Sequence, residues 1–171
     1  MSEGSGAESG GGGPEPVEPR AATLRLDLPA VHSAARMARH LIRPFARSGG
    51  VLGTELDNLL LVAAELLANA VDHGGGEAAL ETVNGHHAEG ARMQLALSVE
   101  AGGWRLEITD EGGGDPEAVR ALVRPAGLPD LEDERGRGFF LIAQMVDEIR
   151  VEPSTSGRGL SLFVVRAPAD S

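Results

Sequence analysis

Between residues 54 and 73, Leu56, Leu59, Leu60, Ala63, Leu66, Leu67, Ala70 and Val71 recur at helical intervals. At about 100° per residue they share one broad face, which a stable chain must bury against another layer. Glu65 and Asn69, four apart, point together the opposite way, with Asn58 and Asp72 on the same stripe. Such a helix cannot stand alone, and its flanks supply partners. Residues 23–28 alternate as a strand that Pro29 ends. Val31, Ala34, Ala35, Ala38, Leu41, Ile42 and Phe45 give 30–47 a helical period, with Pro44 expected to kink or end its last turn. Residues 92–99 and 104–109 alternate as a hairpin around Glu100-Ala101-Gly102-Gly103. Residues 116–123 read as a short helix, 139–146 as a buried helix entered from a glycine pair, and 148–151 and 160–166 as closing strands. The order predicts a two-layer α/β (α+β) sandwich, a mixed sheet covered on one face by helices.

Composition narrows the chemistry. The chain of 171 residues fits one domain plus a tail, and 42% hydrophobic content is enough for a core. Without cysteine there are no disulfides or thiolate metal sites. All 15 basic residues are Arg, so the lysine of a Walker-type phosphate loop is missing. A formal net charge of −11 argues against nonspecific nucleic-acid or membrane binding. No apolar run approaches the roughly 20 residues of a membrane span, and residues 1–20 lack the pattern of a signal peptide. A cytoplasmic protein is expected. Residues 1–22 form a Gly/Pro/Glu-rich tail expected to be disordered, 23–167 the domain, and 168–171 a short C-terminal tail. Residues 75–90 read as a polar insertion, and 124–135, rich in Pro and acids, as a mobile lid.

Three clusters can carry chemistry. In the run from Glu65 to Gly74, Glu65 and Asn69 would present a carboxylate and an amide oxygen to one small space. An amide oxygen suits Mg²⁺, which accepts few protein ligands, and the carboxylate can serve as a general base. Asp110 stands at a strand end before Gly112 and Gly114, where bare backbone admits a flat ligand. Its carboxylate can accept from an exocyclic amine. Gly136 and Gly138 enter a helix beside Arg135 and Arg137, so unpaired amides and positive charge meet an anion there. Taken singly, each has an ordinary explanation: a solvated stripe, a tight turn, a flexible helix entry.

Taken together, the clusters stand in the chain order of one known site. The sequence resembles the Bergerat-fold (histidine-kinase-like) ATPases over about 23–166. Glu65 to Gly74 is similar to the family's N box, Asp110-x-Gly112-x-Gly114 to its first glycine box, and Gly136-x-Gly138 to its second. The stretch 131–142, followed by Met145-Val146-Asp147-Glu148, looks like the lid and helix of the stand-alone anti-sigma serine/threonine kinases. No helix pair bearing a phosphoacceptor histidine precedes the domain.

The resemblance implies an ATP site with Asp110 on the adenine amine, Asn69 on Mg²⁺ and Glu65 as base toward a protein serine. Gly112, Gly114, Arg135, Gly136, Arg137 and Gly138 would line the nucleotide. It implies two protein partners, a sigma factor and a small anti-anti-sigma (STAS-type) protein, and a homodimer. The alternatives are a non-catalytic ATP-binding module controlling a protein partner, and a detached histidine-kinase-like ATPase domain. One departure stands out. The family often carries Gly-x-Gly-Thr before the last strand, the Thr helping to hold adenine, whereas Gly157-Arg158-Gly159 is followed by Leu160, with Ser161 one place late.

Overall fold

Two residues dictate the hairpin at the middle of the sheet. β2 (Arg92–Glu100) and β3 (Gly103–Asp110) pair antiparallel with Glu100 opposite Gly103, leaving only Ala101 and Gly102 to turn the chain. Their φ angles are 50° and 84°. Left-handed backbone at both central positions is what a two-residue turn needs to match the twist of the strands. Period-two alternation then sends Met93, Leu95, Leu97 and Val99 to the same buried side as Trp104, Leu106 and Ile108. The computed structural model describes residues 22–74, 91–112, 114–123 and 134–168. Most of the tail, the 75–90 insertion and the first ten residues of the expected lid, 124–133, lie outside the described residues.

The remaining strands are β1 (Ala22–Pro29), β4 (Glu148–Pro153) and β5 (Leu160–Arg166). The sheet order is β1-β2-β3-β5-β4, and every pairing is antiparallel rather than mixed. β3 and β4 do run in the same sense, but the β4–β5 turn inserts β5 between them. At the other edge two helices, not one, connect β1 to β2, so the chain returns antiparallel.

Those two helices are α1 (His32–Ser48) and α2 (Gly53–Gly74). α1 rests on β1 and α2, and α2 rests on β3 and β2. Leu59, Leu66 and Leu67 are at most 1% exposed. Each such side chain contributes roughly 1.5–3 kcal/mol on burial. Pro44 neither ends nor breaks α1, which runs on to Ser48. It forfeits one intrahelical bond, but Ile42 and Ala46, both wholly buried, hold the helical path on either side. α3 (Pro116–Val123) covers β4, tied by Arg120, whose Nε and Nη2 donate to the carbonyl of Val151 at 3.0 and 2.8 Å. α4 (Glu134–Met145) packs against α3 and α2. At the far end Arg166 of β5 donates to both oxygens of Glu55 at 3.3 Å and to Asp147 at 3.1 Å. The hydrogen bonds and charge of Glu55, reinforced by Asp147, push the guanidinium pKa up. This clamp joins the start of α2 to the last strand.

Candidate ATP site

The Glu65–Asn69 stripe is not the solvated back of α2. Val62 lies within it and is fully buried, and Glu65 and Asn69 are half-buried. The exposed face is instead that of Asp57 and Leu61, and of the stripe Asp72 alone shares that exposure. The reason is α4, which packs on this flank. A Cβ added at Gly138 would stand 2.9 Å from Glu65 Oε2. The glycine therefore lets the start of α4 reach the carboxylate, and the first and third clusters are brought together. On its other side Glu65 borders a groove of about 300 Å³ between α1 and α2, lined also by His32, Arg36 and Arg39.

Asp110 ends β3 on the helix-covered side, in line with Leu106 and Ile108, and is 6% exposed. Its Oδ1 accepts from the amide of Gly112 at 2.9 Å and, at 3.5 Å, from that of Leu160. The second strand of support is Gly159: a Cβ there would fall on the carbonyl oxygen of Asp110 and 2.6 Å from Oδ1. Only glycine fits. Gly159 is held in turn by Ser154, a buried residue whose Oγ accepts from its amide at 3.1 Å. A carboxylate oxygen can accept more than one hydrogen bond, so the two amides do not exhaust what Asp110 can offer a ligand. Gly112 and Gly114 leave the approach bare, and a Cβ at Gly114 would come within 3.0 Å of Leu160 Cδ1.

The third cluster differs from its sequence reading. Gly136 and Gly138 lie inside the first turns of α4, which begins at Glu134. Among the described residues the amides left without intrahelical acceptors are therefore those of 134–136. Arg137 is exposed and already engaged with a partner. Arg135 and Gly136 lie on the described backbone, with side-chain surroundings outside the described residues.

A profile of the histidine kinase-like ATPase domain family matches residues 28–164. The chain belongs to this family. Among curated relatives it is similar to a serine-protein kinase RsbW of Halalkalibacterium halodurans, 24% identical over 87% of this chain and 88% of that one. It is also similar to an anti-sigma F factor of Clostridium acetobutylicum, 26% identical over 74% of this chain and 80% of the other. In solved structures the fold recurs in the SiaB–SiaC complex of Pseudomonas aeruginosa, with a TM-score of 0.62, 20% identity, and 85% and 89% of the two chains covered. It recurs in the RsbU and RsbW domains of a Mycobacterium tuberculosis protein, with a TM-score of 0.53, 19% identity and 85% of this chain covered. There this chain spans 32% of the larger one.

Within the family pattern the departure at the last strand has a definite geometry. Leu160, not Ser161, points to the Asp110 side, 5% exposed. Ser161 faces the other side of the sheet, where its hydroxyl pairs with that of Thr109 at 2.7 Å in the register Thr109↔Ser161. A serine one place late cannot take over the threonine's position. Gly159 and Ser154 are the supports that the reading of the three clusters passed over. The Gly157-x-Gly159 spacing was the available signal for Gly159, and for Ser154 there was none.

No helix among the described residues is long and apolar enough to cross a membrane.

Proposed function

We propose that this chain is an ATP-dependent anti-sigma factor and protein serine/threonine kinase: it holds a sigma factor inactive and phosphorylates a small anti-anti-sigma (STAS-type) protein. The observation that carries the reading is the position of Glu65. Its carboxylate abuts the second glycine box at Gly138 and borders the open α1–α2 groove. Names of relatives as a serine-protein kinase and an anti-sigma F factor support the same function.

The residues present fit ATP and Mg²⁺. Asp110 would take the adenine amine, Gly112 and Gly114 would let the backbone approach the ring, and the free amides at the start of α4, beside Arg135 and Arg137, would face the phosphates. Asn69, one turn beyond Glu65, would give Mg²⁺ its amide oxygen. The bound ion would neutralise charge building on the phosphates. Glu65 would accept the proton of the substrate hydroxyl while that oxygen attacks the γ-phosphorus. The bond from γ-phosphorus to the β–γ bridging oxygen breaks, and ADP leaves.

Phosphorylation adds about two negative charges to the partner. Facing a protein of net charge −11, the product is repelled and released, and the kinase is free to bind sigma. Nucleotide state would select the partner, each partner favouring one state of the kinase. The family resemblance adds a homodimer, and the net charge of −11 goes with action in the cytoplasm on proteins, not on nucleic acid.

The test is capture from native extract with ATP or ADP, followed by phosphopeptide mapping. A sigma factor and a small protein phosphorylated on Ser or Thr are expected. Recovery of neither would leave the non-catalytic ATP-binding module.

A further inference from the structure

α1 carries charge that its own stability does not require. His32, Arg36, Arg39, His40, Arg43 and Arg47 recur at spacings of three and four. At about 100° per residue they fall on one stripe about 100° wide. All six are exposed, and the helix contains no acidic residue. Like charges three and four apart weaken a helix. Arg47, in the last turn, suits the helix dipole, but His32 and Arg36 stand toward the end where a cation opposes it. Among the described residues His32 pairs with Asp72 at 3.3 Å, and none of the four arginines makes an ion pair. In a chain of net charge −11, such a stripe is a docking surface for acid.

The chain supplies an acidic segment at the right place. Residues 1–21 hold Glu3, Glu8, Glu15 and Glu18 against Arg20 alone. They join β1 at Ala22, which pairs with Val99. A Cβ at Gly49, the residue that follows α1, would lie 2.5 Å from Val99 Cγ1. The segment therefore enters the fold beside the Arg47 end of the stripe. At about 3.3 Å per extended residue, Glu18 and Glu15 reach up to about 13 and 23 Å from Ala22, and Glu8 about 46 Å. The run from Arg47 back to Arg36 is about 16 Å. We propose that residues 1–21 dock in cis along this stripe, Glu15 and Glu18 toward Arg47 and Arg43, and Glu8 toward Arg39 and Arg36. Exposed ion pairs are individually weak, and the tether offsets this by holding the acid at high local concentration. His32, Arg36 and Arg39 also line the groove that Glu65 borders, so the docked segment covers one wall of it. On the kinase reading above, on which this consequence alone rests, a substrate protein has to displace the tail to reach Glu65, and the tail holds down phosphoryl transfer.

The chain has no cysteine, so Ser9→Cys accepts a single nitroxide label on the full chain. The amide NMR signals of Arg36 and Arg39 should broaden at low salt. They should recover at about 0.5 M salt, where the screening length is about 4 Å. Glu8→Gln combined with Glu15→Gln and Glu18→Gln should give the same recovery without added salt. Signals that stay sharp at low salt overturn the docking, as does broadening that neither salt nor the three substitutions relieve. Broadening seen only when nitroxide-labelled chain is mixed with isotope-enriched, unlabelled chain puts the tail on a second copy and overturns docking in cis. The triple variant should also raise phosphoryl transfer severalfold with ATP affinity unchanged. Transfer that the variant leaves unchanged overturns the inhibition. No transfer from either protein counts against the kinase reading, and the label still decides the docking.

Discussion

Asp110 and Glu65 are the two carboxylates of the proposed ATP site, and they are held in opposite ways. Asp110 is buried, accepts two backbone amides and is backed by a glycine that admits no side chain. Glu65 is half-buried, lies against the bare Cα of Gly138 and borders an open groove. One is fixed before any ligand arrives, as a selective acceptor must be if binding is not to be spent on ordering it. The other keeps room to turn toward an arriving hydroxyl. The difference fits the roles proposed for them, one carboxylate binding and the other reacting, and substitutions can break that separation.

The largest effect is expected at Glu65. Glu65→Gln keeps the shape and removes the proton acceptor, so phosphoryl transfer should fall about 10²–10⁴-fold while ATP affinity stays within about twofold. Isothermal calorimetry beside a transfer assay measures both. Equal losses in binding and transfer would mean that Glu65, like Asp110, is part of the nucleotide cradle. Asn69→Ala should differ by damaging Mg²⁺-dependent binding and transfer together.

Next comes the support of Asp110. Gly159→Ala drives a methyl into a backbone carbonyl that cannot swing aside. A cost of about 3 kcal/mol in unfolding free energy, with loss of ATP binding, is expected from denaturant titration and calorimetry. Gly138→Ala meets only the end of the Glu65 side chain. It should cost about 1 kcal/mol or less and act on transfer rather than on affinity. If Gly138→Ala proved the more destabilising, the contrast between a rigid and a yielding carboxylate would be wrong.

Asp110→Asn is gentler. The amide oxygen can still accept from Gly112 and Leu160, so the fold should hold. Its NH₂ would confront the adenine amine, and losing one charge-assisted hydrogen bond at about 1.5–3 kcal/mol lowers ATP affinity roughly tenfold or more. Unchanged affinity would remove Asp110 from the site.

Much of this was legible in the sequence because it is periodic. The helix of 54–73, the hairpin and the terminal strands follow from spacing, and the three clusters from residue type. What escaped depends on tertiary contact. Pro44 stays helical because Ile42 and Ala46 are buried beside it. The sheet is antiparallel because β5 inserts beside β3, a pairing of residues 52 to 62 positions apart that no local pattern announces. α4 begins at Glu134, ahead of the glycines, and packs on the flank that period alone assigned to solvent. Gly159 was visible as a glycine but not as the residue lying on Asp110.

The smallest effect tests the geometry of the last strand. Ser161 and Leu160 are neighbours in sequence, yet strand alternation sends them to opposite faces of the sheet. Ser161 spends its hydroxyl on Thr109 across the β3–β5 pair, so Ser161→Ala should cost only about 0.5–1.5 kcal/mol of stability and leave ATP affinity unchanged. Leu160→Thr instead puts a hydroxyl on the side where Asp110 lies. It sacrifices apolar burial, so stability should fall, while a tighter grip on adenine raises affinity a fewfold. Calorimetry and thermal melts of the two variants separate the faces. ATP binding that responds to Ser161 and ignores Leu160 would mean that adenine does not enter beside Asp110.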